Sequence, residues 1–297
     1  MKRPTWFPYV LLTLTVLFWS GNFILGRGIR ELIPPVSLNF WRWVGALTVL
    51  LPFSWRAVYR QRALLIAHWK LLALMALPSI TIFNTFIYTA LQTTTAINTV
   101  LVNAMIPIFI ALTAWVIFNE RLTLRQTMGV GISLAGLIFI VTRGNVSTLG
   151  VLTFSRGDLW TIGASFSWAI YSVMLRKRPA DMDPLAFLTV IIVFGLLYAL
   201  PFYVWEVWSK GGFDLTPENM AAMVYVALFP SVLAFIFWNS SVTKVGANRA
   251  GIFIHLMPVF SVILAVLFLG EQLHLFHLMG IALIFLGIVL TTMGRIV

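Results

Sequence analysis

Polar side chains recur at helical spacing inside one strongly apolar stretch of this sequence. They occupy positions i, i+3, i+4 and i+7, namely Thr81, Asn84, Thr85 and Tyr88. This spacing places all four on one face of a helix. A polar face is unfavourable against lipid, so it predicts either the wall of a partly wet cavity or hydrogen bonds between packed helices.

Two further apolar stretches each combine one tryptophan with small polar residues on one helical face. They contain Thr15, Trp19 and Asn22 in the first case and Thr161, Ser165, Trp168 and Ser172 in the second. Our candidate substrate-binding set joins these faces to residues of later stretches. It comprises Trp19, Asn22, Arg42, Asn84, Tyr88, Asn98, Trp168, Tyr171, Trp238, Asn239 and His255. Aromatic rings and neutral amides suit an amphipathic solute, whereas multiply charged phosphates would need more cations.

Two basic residues of this set lie inside apolar stretches, and each has more than one interpretation. Arg42 lies near the predicted external end of its stretch, where it either anchors a substrate carboxylate, extends outward to the membrane surface or is bonded structurally within the protein. His255 lies near the middle of its stretch. Its imidazole either exchanges protons or stays neutral and bonded to a neighbouring helix.

Pro107 and Pro258 are candidate hinge or gating residues. Each proline lacks the N–H that would pair with the carbonyl four residues back, on Asn103 and Ile254, so both helices are expected to kink. A kink of this kind either moves during gating or statically shapes the bundle.

The acidic residues all fall in loops or near the ends of apolar stretches. They are Glu31, Glu120, Asp158, Asp181, Asp183, Glu206, Asp214, Glu218 and Glu271. Because an ion-driven pump usually needs an acid inside the membrane, this placement favours a facilitator or exchanger, with proton coupling through His255 as the alternative. No catalytic cluster, metal site or cofactor site is expected, which disfavours a membrane-embedded enzyme; a sensor or scaffold without flux stays open.

Composition requires that these residues be positioned by membrane-spanning helices. The chain has 297 residues, of which 60% are hydrophobic and 10% charged, with a mean hydropathy of +0.96. Ten apolar stretches are long enough to cross a bilayer. They lie near 8–25, 36–54, 71–90, 96–118, 126–142, 158–175, 184–207, 220–241, 247–269 and 277–294. The first lacks a signal-peptide cleavage pattern, so we interpret it as a retained span.

The net charge of +11 follows from topology. Most lysines and arginines fall on the side of the N-terminus, so both termini are predicted to be cytoplasmic, in a multi-pass protein of the cell inner membrane. The basic residues separate apolar runs and form no patch of the kind that binds nucleic acid. The expected partners are a small-molecule substrate and the lipid bilayer, for a monomer or a homodimer.

The chain also repeats itself. Residues 118–137 and 269–288 share a pattern at an offset of 151: Glu120 with Glu271, Gly129 with Gly280 and Gly136 with Gly287. Earlier residues pair at an offset of 149: Trp19 with Trp168, Arg27 with Arg176 and Pro35 with Pro184. Two units of five spans each, 1–145 and 146–297, must enter the membrane in opposite orientations because five is odd. Inverted repeats around a central site are typical of carriers that work by alternating access.

The paired elements have simpler interpretations as well. Duplication alone would build a stable bundle, and the glycines are best explained by close helix packing. Glu120 and Glu271 end their helices on opposite faces, where they either fix loop geometry or latch a gate.

Several segments resemble the EamA-type family of the drug/metabolite transporter superfamily. They are WSGNF at 19–23, FWRWVGA at 40–46, YTALQTTTA at 88–96, and the blocks 107–136 and 258–287. The resemblance implies a ten-helix exporter or exchanger of small metabolites. It is strongest to the YddG-type aromatic amino-acid exporters, which implies aromatic or other hydrophobic amino acids as substrates, with drugs or other metabolites as the alternative. Arg42 has no counterpart in the second half.

Overall fold

The computed structural model describes residues 6–94, 96–145, 155–269 and 274–293, without the side chains of 96–98, 100 and 265–269. All regular secondary structure in these residues is helical. Glu271 lies outside the described residues, so its pairing with Glu120 stays a prediction.

The first half contains five long helices. They are α1 (Phe7–Gly28), α2 (Pro35–Arg60), α3 (Trp69–Thr93), α4 (Ala96–Asn103 followed by Ile106–Phe118) and α5 (Leu124–Val141). A short helix, Arg62–Ala67, joins α2 to α3. The boundaries have local causes: Asn119 ends α4 in the left-handed conformation with φ 54°, and Thr123 caps α5 by accepting a hydrogen bond from the Gln126 backbone.

The second half repeats this order. Its helices are α6 (Arg156–Met174), α7 (Pro184–Lys210), α8 (Pro217–Val245), α9 (Ala247–Gly251, Ile252–Leu256 and Met257–Leu269) and α10 (Leu275–Thr292). Both α7 and α8 begin with proline after a capping side chain, Asp183 and Thr216 respectively.

Nine helices in the described ranges are long and apolar enough to span a membrane, which confirms an all-α membrane protein. The exception is α6, whose 19 residues include Arg156, Asp158 and several serines. It packs against α3 and α4 of the first half, and most of its residues are buried. A helix enclosed by other helices can be more polar than one that faces lipid. A tenth span and the orientation of the termini stay predictions.

Repeat-equivalent helices run antiparallel. Where α5 crosses α10, a Cβ added at Gly136 would lie 2.7 Å from the carbonyl oxygen of Gly280, and one at Gly129 would lie 2.7 Å from that of Gly287. Residue numbers rise along α5 as they fall along α10. The glycines therefore permit close backbone contact between two helices of opposite direction, as expected for inverted repeats.

Helices α2 and α7 show the same relation. Thr189 on α7 donates a hydrogen bond to Ser54 near the end of α2, at 2.7 Å. At the other end, the buried Glu206 carboxylate accepts from the Ser37 backbone N–H at 2.7 Å and from the Ser37 hydroxyl at 2.9 Å. Glu206 thus caps the N-terminus of α2 from the opposite repeat.

Proline interrupts the hydrogen-bond ladder at matching places in both halves. Leu77–Ile82 in α3 and Leu228–Leu233 in α8 are π-helical, and each contains a Pro-Ser pair. The serine hydroxyls, on Ser79 and Ser231, donate to the carbonyls of Met75 and Val226. Val226 lies four residues before Pro230, so Ser231 satisfies a carbonyl that the missing proline N–H would leave unpaired in the membrane.

The interruptions expected near Pro107 and Pro258 are present. Helix α4 breaks at Ala104 and Met105, just before Pro107, and α9 passes through a 3₁₀ segment, Ile252–Leu256, just before Pro258. Whether these interruptions move as hinges stays a prediction.

Candidate functional site

A cluster of tryptophans lies where the two repeats meet. The ring centroids of Trp19 and Trp168, which are repeat equivalents, lie 4.9 Å apart with planes at 89°. Trp238 lies 5.2 Å from Trp19 and 5.6 Å from Trp168. Because α1 packs on α8 and α9 while α6 packs on α3 and α4, the first helix of each repeat delivers its tryptophan to the centre.

Other aromatic rings complete this cluster. Phe83 lies 4.8 Å and Phe235 5.3 Å from the Trp168 ring, and Tyr171 lies 5.3 Å from it. All of these side chains are buried. Aromatic pairs in tilted and edge-to-face arrangements contribute about 0.5–1.5 kcal/mol each beyond their area. The sequence left open a partly wet cavity or packed helices; the buried rings pack against one another, so this conformation is closed at the cluster.

Arg42 points inward and is only 1% exposed, so an outward, snorkelling arginine is wrong. Its guanidinium donates to Asn84 Oδ1 at 2.8 Å, the Tyr88 hydroxyl at 2.8 Å, Ser231 Oγ at 2.5 Å and the Pro230 carbonyl at 3.0 Å. No ion pair joins it to a carboxylate in the part of the chain that the structure describes. The bonded arginine that the sequence left open is therefore the arrangement found, and its partners could not be named in advance because α3 and α8 must present acceptors at the same depth.

Two tyrosine–asparagine pairs are related by the repeat, with the residue types exchanged. The Tyr88 hydroxyl donates to Asn22 Oδ1 at 2.8 Å, and the Tyr171 hydroxyl donates to Asn239 Oδ1 at 2.7 Å. Asn22 and Tyr171 are equivalent at offset 149, and Tyr88 and Asn239 at offset 151. Each pair joins the first and third helices of its own repeat. Among the described residues, the first pair accepts a hydrogen bond from an arginine and the second does not, which makes the site asymmetric.

The cluster contains an unsatisfied donor. Trp19 Nε1 donates to the Pro230 carbonyl at 3.2 Å, and Trp238 Nε1 donates to Ser172 Oγ at 3.2 Å. The equivalent nitrogen of Trp168 is buried and has no hydrogen-bond partner among the described residues. An unpaired buried donor costs about 1–3 kcal/mol, so a solute or water that brings an acceptor here would be stabilised.

His255 is held apart from this cluster, between α9, α5 and α4. Its Nε2 lies 3.0 Å from the Ala104 carbonyl and its Nδ1 lies 2.7 Å from Ser133 Oγ. A carbonyl only accepts, so Nε2 carries the proton and Nδ1 accepts from the serine. Ala104 lies at the break in α4, so the imidazole satisfies a carbonyl that this break releases. Its binding role stays a prediction.

The remaining predicted residue, Asn98, lies in the first part of α4, and its side chain falls outside the described residues. The structure thus brings together the predicted residues of α1, α2, α3, α6 and α8 and leaves His255 apart. It also adds partners that the sequence analysis did not select, namely Ser231, the Pro230 carbonyl, Phe83 and Phe235. The Pro-Ser pair repeated at 78–79 and 230–231 was the signal that could have revealed two of them.

An open vestibule of about 1070 Å³ leads toward the cluster from the side predicted to be cytoplasmic. Its wall comes from the ends of α4, α6 and α8 and the starts of α5 and α9. Ser172, the acceptor for Trp238, lies in this wall. Near the surface, Glu120 pairs with Arg176 at 3.1 Å and accepts from Asn248 Nδ2 at 3.2 Å, which joins three helix ends around the vestibule. Glu120 therefore contacts two neighbouring helix ends on this face, and its role as the latch of a gate stays a prediction.

This arrangement offers apolar contact, neutral hydrogen-bond groups and one buried cation, which are the means to bind an amphipathic solute. Such a cluster, between two antiparallel five-helix units and connected to a vestibule, defines a polytopic membrane protein of the carrier class. The chain belongs to the EamA-like transporter family, whose model matches residues 6–142 and 155–293. It is a multi-pass membrane transporter.

Individual relatives agree with the family. An uncharacterized transporter of Archaeoglobus fulgidus is 30% identical over 289 residues, covering 96% of both chains. A probable amino-acid metabolite efflux pump of Salmonella typhimurium is 23% identical over 185 residues, covering 60% of this chain and 61% of the pump. One solved crystal structure matches with a TM-score of 0.77 over 96% of both chains at 20% identity, which shows the fold alone.

Proposed function

We propose that this transporter exports amphipathic small metabolites, foremost aromatic or other hydrophobic amino acids, across the cell inner membrane. The two inverted repeats alternate access to the aromatic cluster by rocking against each other. One chain supplies both repeats, so a monomer suffices for this mechanism, and a homodimer would contain two such pathways.

The observation that supports this proposal most is the position of Arg42 beside the cluster. A guanidinium held only by neutral acceptors keeps its charge available for a carboxylate, while the rings of Trp19 and Trp168 suit an apolar side chain. The Salmonella relative, named as an amino-acid metabolite efflux pump, supports the same substrate class.

We further propose a facilitator or exchanger mechanism. The described acidic residues lie near helix ends, and both ring nitrogens of His255 are already hydrogen-bonded. A coupling histidine would have to break one of these bonds in each cycle. Flux is therefore expected to depend on the substrate gradient and to change little with a pH gradient.

The test is flux of labelled phenylalanine, tryptophan and threonine through purified protein in liposomes, with and without a pH gradient, against protein-free liposomes. We expect the aromatic substrates to move and threonine to move more slowly, because it has no ring for the cluster. Strong stimulation by a pH gradient would reject the facilitator mechanism. Folded protein that moves none of the three would reject the amino-acid proposal.

Matched substitutions locate the site. Trp168→Ala and Tyr88→Ala should each raise KM for phenylalanine, by about tenfold if roughly 1.4 kcal/mol of contact is lost. Trp208→Ala and Tyr59→Ala are the controls, because both side chains are exposed, Trp208 to 85%. Unchanged kinetics in Trp168→Ala and Tyr88→Ala would show that substrate passes elsewhere.

A further inference from the structure

Basic side chains dominate the wall of the vestibule. They are Arg121, Arg125, Arg176, Lys244 and Arg249. Among the described residues of the wall, Glu120 is the one carboxylate, and it is already bonded to Arg176 and Asn248. Lys244 and Arg249 have partners of their own. The positive potential therefore rests on Arg121 and Arg125, whose contacts are the Trp115 ring and the Leu290 carbonyl, and a concave low-dielectric wall concentrates it.

Topology alone does not require this arrangement. Basic residues on the cytoplasmic side satisfy the charge rule for membrane insertion wherever they lie in the loops. Other residues predicted on the same side, such as Arg56, Arg62 and Lys70, are absent from the described wall. Those of the vestibule instead surround an opening that leads toward the aromatic cluster.

Helix α6 connects this opening to the cluster. Trp168 and Ser172 are four residues apart and so share one side of α6, and Arg176 lies in the short 3₁₀ segment Leu175–Lys177 that follows the helix. Arg176 and Ser172 line the vestibule, and Ser172 accepts the hydrogen bond of Trp238 in the cluster. A solute that moves along this face passes from a cationic region to aromatic rings.

The next charged group that such a solute meets is also positive. Arg42 donates to the Pro230 carbonyl that Trp19 shares, so the guanidinium adjoins the cluster. The residues that contact this guanidinium are neutral, and no carboxylate occurs among the described members of the cluster or network. A carboxylate would be stabilised at both stages, whereas an ammonium group would meet in the described vestibule wall only Glu120, which already pairs with Arg176, and no carboxylate among the described residues around Arg42.

We propose that the preferred substrate carries net negative charge: an aromatic or apolar monocarboxylate without a free ammonium group, such as an N-acylated amino acid, which enters through the cationic vestibule. This inference rests on the proposed function, because it assigns a charge to the solute that the aromatic cluster passes. It refines the substrate class, because the anion is preferred over the zwitterionic amino acid, which stays a substrate of lower affinity.

A matched set of four compounds tests the charge preference. Phenylalanine is a zwitterion, N-acetylphenylalanine an anion, phenylalaninamide a cation and N-acetylphenylalaninamide uncharged, and all four share one benzyl group. Affinity is measured by calorimetry on protein in nanodiscs of neutral phosphatidylcholine, which keeps anionic headgroups away from the apolar groove of about 680 Å³ beside Arg121. Flux of labelled compounds into phosphatidylcholine liposomes, corrected for protein-free leak, is measured in parallel.

We expect N-acetylphenylalanine to bind about tenfold more tightly than phenylalaninamide and more tightly than phenylalanine, since one unit of charge interacts with the vestibule and Arg42. The difference should shrink as salt is raised to about 0.5 M, because the vestibule is open to solvent. Equal or tighter binding of phenylalanine or phenylalaninamide would overturn the inference.

A pair of variants tests the vestibule itself. Arg121 and Arg56 are both exposed and each lies over a tryptophan ring, 5.7 Å from Trp115 and 5.3 Å from Trp55, but only Arg121 lines the vestibule. Arg121→Gln should weaken N-acetylphenylalanine binding by about two- to fivefold and leave phenylalaninamide unchanged or tighter. Arg56→Gln should change neither.

The outcomes distinguish this inference from the proposed function. Phenylalanine flux without anion preference, salt effect or effect of Arg121→Gln would leave the proposed function standing and show that the arginines serve topology alone. No binding and no flux of any of the four compounds by folded protein would overturn both.

Discussion

Replacing Tyr88 with phenylalanine removes one hydroxyl that has two roles in the buried network. The hydroxyl accepts a hydrogen bond from the Arg42 guanidinium at 2.8 Å and donates one to Asn22 Oδ1 at 2.8 Å. The repeat provides an internal control, because the Tyr171 hydroxyl donates to Asn239 at 2.7 Å and accepts no hydrogen bond from an arginine among the described residues. Both rings are buried, so both substitutions remove only an oxygen from a closed interior.

The two variants should differ in their free energy of unfolding, because only Tyr88→Phe removes a hydrogen bond to a charged group. Loss of a neutral tyrosine–asparagine bond in a membrane protein lowers the free energy of unfolding by about 1 kcal/mol. A hydrogen bond to a charged group contributes about 1.5–3 kcal/mol, although partial rearrangement within the network reduces this. We therefore expect Tyr88→Phe to destabilise by about 2–3 kcal/mol and Tyr171→Phe by about 1 kcal/mol.

The assay is unfolding in mixed micelles by titration with a denaturing detergent, followed by tryptophan fluorescence. The clustered Trp19, Trp168 and Trp238 make this signal sensitive to the core. Tyr59→Phe, at an exposed position, is the control for the substitution itself and should be neutral. Equal destabilisation in Tyr88→Phe and Tyr171→Phe would refute the argument that the guanidinium draws stability from this hydroxyl.

Three further predictions follow from packing and capping. Gly136→Ala should destabilise by about 1–3 kcal/mol, because its Cβ meets a backbone carbonyl. Gly131→Ala is the control and should be neutral or slightly stabilising, because the space around Gly131 is open. Thermal unfolding in detergent compares the two variants. His255→Gln should lower thermal stability and leave the pH dependence of flux unchanged, whereas an altered pH profile would assign it to coupling. Glu206→Gln should destabilise by about 1–2 kcal/mol in the same unfolding assay, since a carboxylate at the N-terminus of α2 is replaced by a neutral amide; an unchanged midpoint would show that charge is unimportant there.

Local sequence predicted the features that depend on one helix at a time. Apolar stretches of sufficient length predicted the long helices within a few residues, because bilayer thickness and backbone hydrogen bonding restrict what can cross a membrane. Missing N–H groups predicted the interruptions before Pro107 and Pro258. The duplicated pattern predicted the opposite direction of α5 and α10, since an odd number of spans reverses the second copy.

Tertiary structure decided the features that depend on several helices at one depth. The direction of Arg42 could not follow from its span alone, because it depends on acceptors from α3 and α8. The cationic vestibule likewise arises from helix ends far apart in the sequence. By itself, the sequence determined which segments cross the membrane and that they form two opposed copies, because these properties depend on local hydropathy and repetition. Only the tertiary structure decided that the central polar and aromatic faces pack against each other, and which side of the protein remains open. Both properties depend on the orientation of one repeat relative to the other.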